Sequence, residues 1–227
     1  MLQQTQVDRV IPFYTKFIKQ FPTAKKLAAA PLSDVLKNWQ GLGYNRRAKM
    51  IHSAAKELDT TRGTLVAELE KLPGVGPYTA RAVAAFAHNQ DVIVIETNIR
   101  TAVTHLFFSK KKEVSDKEIE KVLIETLPLG RSREWYSALM DYGAHLKRSG
   151  ISHNAKSRGY TRPSKFAGSL REARGAILRE LAQGSMTRAR LSSVLGESRR
   201  EQVRDALDAL RAEGLIRTQQ GRYRLAD

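Results

Sequence analysis

Apolar positions recur every three or four residues from Thr5 to about Gly150, in short runs cut by proline and glycine, with hardly any strict alternation. Such periodicity predicts an all-α domain of short amphipathic helices. Helix starts stand at Pro31-Leu32-Ser33 and at Ser115-Asp116-Lys117-Glu118, the second a capping box in which serine and glutamate each satisfy a backbone amide of the first turn. Residues 64–72 predict one helix, with Leu65, Leu69 and Leu72 on one face, and residues 77–88 another, with Val83, Phe86 and Ala87 facing back. Between them Gly74-Val75-Gly76 provides room for a tight turn that a Cβ would crowd, and Pro77 suits the first position of the new helix. Residues 92–95 are a short β-like run and read as an extended lead into the next helix.

The pattern changes after Gly150. Residues 151–169 are polar, basic and carry Pro163, which predicts a basic linker between a domain over 1–150 and a second over 170–227. In the tail, Ala173, Ile177, Leu178 and Leu181 make one helical stripe, Leu191, Val194 and Leu195 a short second, and Val203, Leu207 and Leu210 a third. Ser198-Arg199-Arg200-Glu201 reads as a capping box opening the third helix. Leu215-Ile216-Arg217-Thr218 and Arg222-Tyr223-Arg224-Leu225 flank Gln219-Gln220-Gly221 as a β-hairpin. Three helices and a hairpin resemble a winged helix. In such a domain the third helix enters the major groove, with Arg199, Arg200 and Arg204 near phosphates or bases and Arg217, Arg222 and Arg224 on the wing. A winged helix used for protein contact is the alternative.

Charge sharpens this picture. The 227 residues carry a formal net charge of +16, which calls for a polyanionic partner, and nucleic acid is the obvious one. The amides opening the helix at Pro77 favour an anion such as a DNA phosphate, which makes Gly74, Val75 and Gly76 candidate DNA contacts. No apolar run is long enough to cross a membrane, and Met1-Leu2-Gln3-Gln4 has no signal-peptide pattern, so a cytoplasmic, nucleoid-associated monomer is expected. The absence of cysteine excludes disulfides, a thiol nucleophile, cysteine-ligated zinc and an ordinary iron–sulfur cluster within this chain, and no cofactor is expected. His52, His88, His105, His145 and His153 show no metal-ligand spacing and read as solvated or capping.

Five segments in one order carry a family resemblance: Met1-Leu2-Gln3-Gln4-Thr5-Gln6-Val7, Trp39-Gln40-Gly41-Leu42-Gly43-Tyr44-Asn45-Arg46-Arg47-Ala48, Leu72-Pro73-Gly74-Val75-Gly76-Pro77-Tyr78-Thr79-Ala80, Ile95-Glu96-Thr97-Asn98-Ile99-Arg100 and Ala138-Leu139-Met140-Asp141-Tyr142-Gly143-Ala144. Residues 1 to about 150 resemble the helix-hairpin-helix base-excision glycosylases, most closely the MutY-type adenine DNA glycosylases. The resemblance implies an all-α helix-hairpin-helix glycosylase domain that flips adenine out of a pair with 8-oxoguanine or guanine and hydrolyses its N-glycosidic bond. Double-stranded DNA bearing a mismatch or lesion is then the partner. That chemistry needs a proton for the leaving base and negative charge beside a sugar that becomes oxocarbenium-like.

Glu96 falls where the family has its catalytic aspartate, one methylene longer, and the competing role for it is a solvated or helix-capping glutamate. Asn98 matches the family asparagine that orients the carboxylate or the flipped nucleotide's backbone, and otherwise serves as a helix-start residue. Tyr78 occupies the position of the lysine in bifunctional relatives, which disfavours a Schiff-base lyase route and implies a monofunctional enzyme; a packed aromatic is the plainer role. Gln4 and Tyr44 correspond to residues that press into the duplex opposite the flipped base, with core packing the rival for Tyr44. Ser137 stands where relatives carry a glutamine or glutamate in the base pocket.

Two departures matter. The family's proton-donating glutamate lies just before the segment at Met1, so either the start lies upstream or the acid is lacking; in-frame upstream codons for a glutamate would decide. Lys147 and Arg148 stand where the cysteine cluster would follow Gly143. Three other functions stay open: a thymine or uracil mismatch glycosylase, a noncatalytic lesion-binding protein and a winged-helix regulator.

Overall fold

The computed structural model describes residues 1–3, 5–58, 66–153, 156 and 165–227. Its first helices are α1 (Val7–Gln20), α2 (Ala24–Ala29), α3 (Leu32–Trp39), α4 (Arg46–Leu58) and α5 (Val66–Leu69). Next come α6 (Pro77–His88), α7 (Thr97–Phe107), α8 (Asp116–Thr126) and α9 (Ser132–Arg148). The tail holds α10 (Leu170–Gln183), β1 (Met186–Thr187), α11 (Arg188–Ser192), α12 (Arg200–Ala212), β2 (Ile216–Gln219) and β3 (Arg222–Leu225). No helix among the described residues is long and apolar enough to cross a membrane.

Contacts divide the chain into two compact units that do not follow chain order. One joins Met1–Thr61 to Ser164–Asp227; the other is Arg62–Pro163. The boundaries at 150 and 169 follow composition, whereas burial groups the first four helices with the tail. The reason is a shared core. Val10, Phe17, Val35, Leu36 and Trp39 are buried in the same cluster as Ile177, Leu181, Leu207, Leu210 and Leu225. Burial of this apolar surface is the main favourable term holding tail and N-terminal helices together. Phe17 packs edge-on against Phe21 and Trp39, with ring centroids 4.9 and 6.0 Å apart.

The tail carries three helices and a hairpin, but the second helix, α11, ends at Ser192, so of the stripe Leu191, Val194 and Leu195 only Leu191 lies in it and is buried, while Val194 and Leu195 follow the helix half-buried. Its sheet is antiparallel in the order β1-β3-β2, and β1 was not apparent in the sequence pattern. The hairpin turn is Gln220-Gly221, with φ of 49° and 70°, the pair of positive values that a two-residue type I′ turn requires. Ser198 does not cap the third helix. A 3-10 turn over Glu197–Arg199 precedes it, Arg199 is its N-cap without a side-chain bond, and Arg199 is drawn instead to Glu172 at 2.8 Å.

The second unit is built on Ile99, Val103, Ile119, Leu123, Tyr136 and Leu139. The capping box at Ser115 and Glu118 forms as the sequence predicts. Residues 92–95 are extended without joining a strand. The helix expected over 64–72 is shorter: α5 ends at Leu69 and the chain passes into tighter turns, with the Lys71 and Leu72 amides bonded to the Glu68 and Leu69 carbonyls, and Pro73 bars helical backbone at Leu72; Leu69 and Leu72 are both buried. Leu65 lies outside the described residues. In α6 the buried face is Ala80, Ala84 and Ala85, while Ala87 is exposed and Val83 and Phe86 are half-buried. Small residues let this helix approach closely, so the alanines rather than the larger side chains form its inner face. His52 is buried, contrary to the solvated role expected, with Nε2 2.9 Å from the Ala30 carbonyl; burial lowers its pKa.

Candidate active site

Within the second unit, the backbone from Val92 to Asn98 is fixed by one face of α9. The buried Tyr136 hydroxyl donates to the Val92 carbonyl at 2.9 Å and accepts from the Val94 amide at 3.2 Å. It thereby satisfies two main-chain groups that a strand partner would otherwise serve. Seven residues on, Gly143 lies directly against Asn98: a Cβ at Gly143 would sit 2.1 Å from the Asn98 carbonyl oxygen. Four residues further, Lys147 Nζ donates to Asn98 Oδ1 at 2.7 Å. This spacing puts Tyr136, Gly143 and Lys147 along one side of the helix.

Glu96 is the N-cap of α7, and its Oε1 accepts from the amides of Asn98 at 2.5 Å and Ile99 at 2.9 Å. Charge-assisted bonds to helix-opening amides are favourable for a carboxylate and fix its orientation. Among the described residues Oε2 accepts no hydrogen bond. The glutamate therefore caps the helix with one oxygen and leaves the other open, so the two roles that the sequence offered are compatible.

Tyr78 is 45% exposed in the first turn of α6. Its pKa is raised above the ordinary 10.0, first by desolvation at the hydroxyl and then by the charge of Glu96. Lys147 is lowered from 10.5 by burial, an effect opposed by Glu96 and reinforced by Arg100. Glu96, Asn98, Tyr78 and Lys147 thus form one electrostatic cluster. In the sequence Lys147 stands out only as a basic residue where a cysteine cluster would follow; its place on the same side of α9 as Tyr136 and Gly143 is the signal for its contact with Asn98.

The hairpin before α6 has Gly74 at φ 75°, a left-handed turn position suited to glycine, and Gly76 as an N-cap with no side-chain cap on the helix. Gly74 and Gly76 are exposed and Val75 is half-buried. Ser137 is exposed on α9 and donates to the Arg133 carbonyl at 2.7 Å, within its own helix. An iron–sulfur cluster does not fit the donors here, since the chain has no cysteine and Lys147 is committed to Asn98.

The other sequence candidates belong to the first unit. Gln4 lies outside the described residues. Tyr44 is half-buried at φ 47°, with the guanidinium groups of Arg47 and Arg171 each 5.4 Å from its ring centroid. Arg199 is held by Glu172, Arg200 pairs with Glu197 at 2.5 Å, and Arg204 is exposed beside Glu201 and Asp205. Arg222 donates to the Ser185 hydroxyl and carbonyl at 3.0 and 2.6 Å.

Residues 1–128 match the family model described as the HhH-GPD superfamily base excision DNA repair protein. An adenine DNA glycosylase of Mycolicibacterium smegmatis is 37% identical, over 100% of this chain and 85% of that protein, so the likeness includes the C-terminal module. The adenine DNA glycosylase of Mycobacterium tuberculosis is 33% identical over 99% of this chain and 82% of its own length. Among solved structures, a trapped endonuclease III–DNA covalent intermediate superposes with a TM-score of 0.51 and 25% identity, covering 64% of this chain and 68% of that one. A thermostable thymine-DNA glycosylase, at 21% identity and a TM-score of 0.53, shares the fold over 63% of this chain and 69% of its own. With more than half its length matched by the family model and a relative aligned over the whole of this chain, the chain belongs to the HhH-GPD superfamily of base excision DNA repair proteins.

Proposed function

We infer that this chain is an adenine DNA glycosylase that acts as a monomer on double-stranded DNA and hydrolyses the N-glycosidic bond of adenine paired with 8-oxoguanine or guanine. The observation that carries this reading is the likeness to the mycobacterial adenine DNA glycosylases over essentially the whole chain. The carboxylate at the mouth of α7 gives it a chemistry. As the base departs with the bonding electrons and takes up a proton, positive charge develops on the sugar. Glu96, oriented through Oε1 by the helix amides, offers Oε2 to that charge. Water then adds at the sugar carbon and loses a proton. Asn98, held by Lys147, keeps the start of α7 in register with the carboxylate. Tyr78 supplies no amine for a Schiff base, which suits hydrolysis without strand cleavage.

The test is single-turnover release of adenine from a duplex bearing adenine opposite 8-oxoguanine, with this chain, its Glu96→Gln variant and an upstream-extended form. Glu96→Gln is expected to slow release about 10²–10³-fold, the usual loss for one preorganised electrostatic contact in a transition state. Activity confined to the extended form would put the acid upstream. Salt-sensitive DNA binding without base release from any form would defeat the reading and leave a lesion-binding protein. A panel of thymine and uracil mismatches separates the remaining glycosylase alternative.

A further inference from the structure

The loop between α3 and α4 is clamped by the C-terminal module. Gly41 and Gly43 have φ of 95° and 73°, and Tyr44 shares the left-handed region at 47° although it carries a side chain. Such backbone persists only where surrounding contacts over-determine it. On the near side, Trp39 Nε1 donates to the Gly43 carbonyl at 3.1 Å, and Arg47 lies against the Tyr44 ring. The far side comes from α10, more than a hundred residues away in sequence. Arg171 Nη1 donates to the Tyr44 hydroxyl at 2.8 Å with its guanidinium against the ring, and Gln40 Nε2 donates to the Leu178 carbonyl at 3.0 Å.

The third helix of the same module is poorly suited to lie along phosphates. Its exposed positions alternate Arg200, Arg204 and Arg211 with Glu201, Asp205 and Asp208. Arg199, at the start of this helix, is spent on Glu172 and Gln202. The opposite face of α12 is buried in the core shared with α1 and α3. The module's strongest connections therefore run inward, to the loop that carries Tyr44.

We propose that the winged-helix module acts on DNA through Tyr44, with Arg171 as a positioning residue that holds the tyrosine ring in the conformation in which it enters the duplex during base extrusion. This rests on the glycosylase reading, which supplies both the identity of the extruded base and the entry of Tyr44 into the duplex. The guanidinium offers both a hydrogen bond and a cation–π contact, so the ring is held at its tip and on its face. A lysine in its place keeps the charge and loses the planar fork.

The experiment uses the full chain and a duplex with 2-aminopurine beside the target adenine, whose fluorescence reports extrusion, together with single-turnover release and thermal melting. Arg171→Ala is expected to lower the extruded fraction and the release rate about tenfold, as small misplacements do, while duplex affinity falls by less than about twofold. Arg171→Lys should restore only part of the loss. The deciding arm is a double-mutant cycle with Tyr44→Phe, which keeps the ring and removes the hydroxyl: Arg171→Ala should cost distinctly less in that background. Equal, multiplicative effects in the two backgrounds would overturn the proposal, as would a loss of affinity with a shallower salt dependence, the mark of a direct phosphate contact. Should Arg171→Ala melt early, Tyr44→Phe alone decides, since loss of extrusion is expected and unchanged extrusion refutes the positioning role. If the unaltered chain extrudes a base without releasing adenine, the glycosylase reading fails while the extrusion arms still judge Arg171.

Discussion

The two segments singled out for DNA chemistry are held in place by different means. The backbone from Val92 to Asn98 is gripped by α9 of the same unit, largely through main-chain groups: a tyrosine hydroxyl bridging two peptides and a glycine pressed against a carbonyl. The loop around Tyr44 is gripped by long side chains reaching from the C-terminal helices, with charge and stacking in place of close backbone contact. Backbone contact of the first kind has no slack, because a methyl group at Gly143 has nowhere to go. Contact of the second kind is graded, since each arginine or glutamine contributes separately and each can be shortened. A carboxylate that must meet a developing charge within a fraction of an ångström suits the first arrangement. The entry into a duplex proposed for Tyr44 suits the second, in which the ring is held by side chains and not by close backbone contact.

The strongest way to break this contrast is Gly143→Ala. Because the new Cβ meets main chain at 2.1 Å, α7 and α9 must separate, and the expected loss is at or above the upper end of the usual overpacking cost of about 1–3 kcal/mol. Thermal denaturation and adenine release would fall together; a variant with unchanged melting and rate would show that the helices have room after all.

Tyr136→Phe is the next in size. It leaves the Val92 carbonyl and Val94 amide without their buried partner, for about 1–3 kcal/mol by the usual cost of stranding such groups. Hydrogen exchange at the Val94 amide should rise more than exchange in α12, which places the damage in the second unit alone.

Arg174→Ala probes the side-chain arrangement. Arg174 binds Glu213 at 2.6 Å with the two side chains 17% and 25% exposed, while Lys49 Nζ donates to the Glu213 carbonyl at 2.6 Å. Breaking this pair should cost about 1–2 kcal/mol, between the values for exposed and fully buried pairs. Glu213 is held below its ordinary 4.5, chiefly by the bond from Arg174. A depressed folded pKa gives stability that is present above pH 4.5 and is lost as pH falls through the lowered value. The variant should therefore converge on the parent in acid melts; a constant gap at all pH values would mean that packing, and not charge, carries the pair.

Much of this was readable from residue order. Pro77 at the head of α6, the Ser115–Glu118 box and the hairpin at Gln219-Gln220-Gly221 are local features, decided by neighbours in sequence, and the structure has each of them, with Gln219 drawn into β2 and the turn narrowed to Gln220-Gly221. Glu96 was legible as a carboxylate beside a helix start, but its simultaneous capping role depended on how far a glutamate side chain folds back on amides two and three residues ahead. Ala87 and Ser198 went differently because tertiary contacts overrode local pattern: close packing favoured the alanine face of α6, and Glu172 drew Arg199 away from the helix start. Arg171 was invisible as a partner of Tyr44, since no periodicity connects residues 127 positions apart.

The interleaving of the first unit has a consequence for synthesis. The N-terminal helices leave the ribosome first, yet the residues that complete their core, among them Leu207, Leu210 and Leu225, are made last. At roughly 5–20 residues per second, the hundred-residue intervening unit takes about 5–20 seconds to emerge, during which Trp39 and Phe17 lack their C-terminal cover. The intervening unit can fold in that interval, while the first four helices wait in a state open to proteases and chaperones. A chain stopped at Pro163 should accordingly lose residues 1–58 to limited proteolysis before its α6–α9 segment, and equal resistance of the two would show that the N-terminal helices close without the tail.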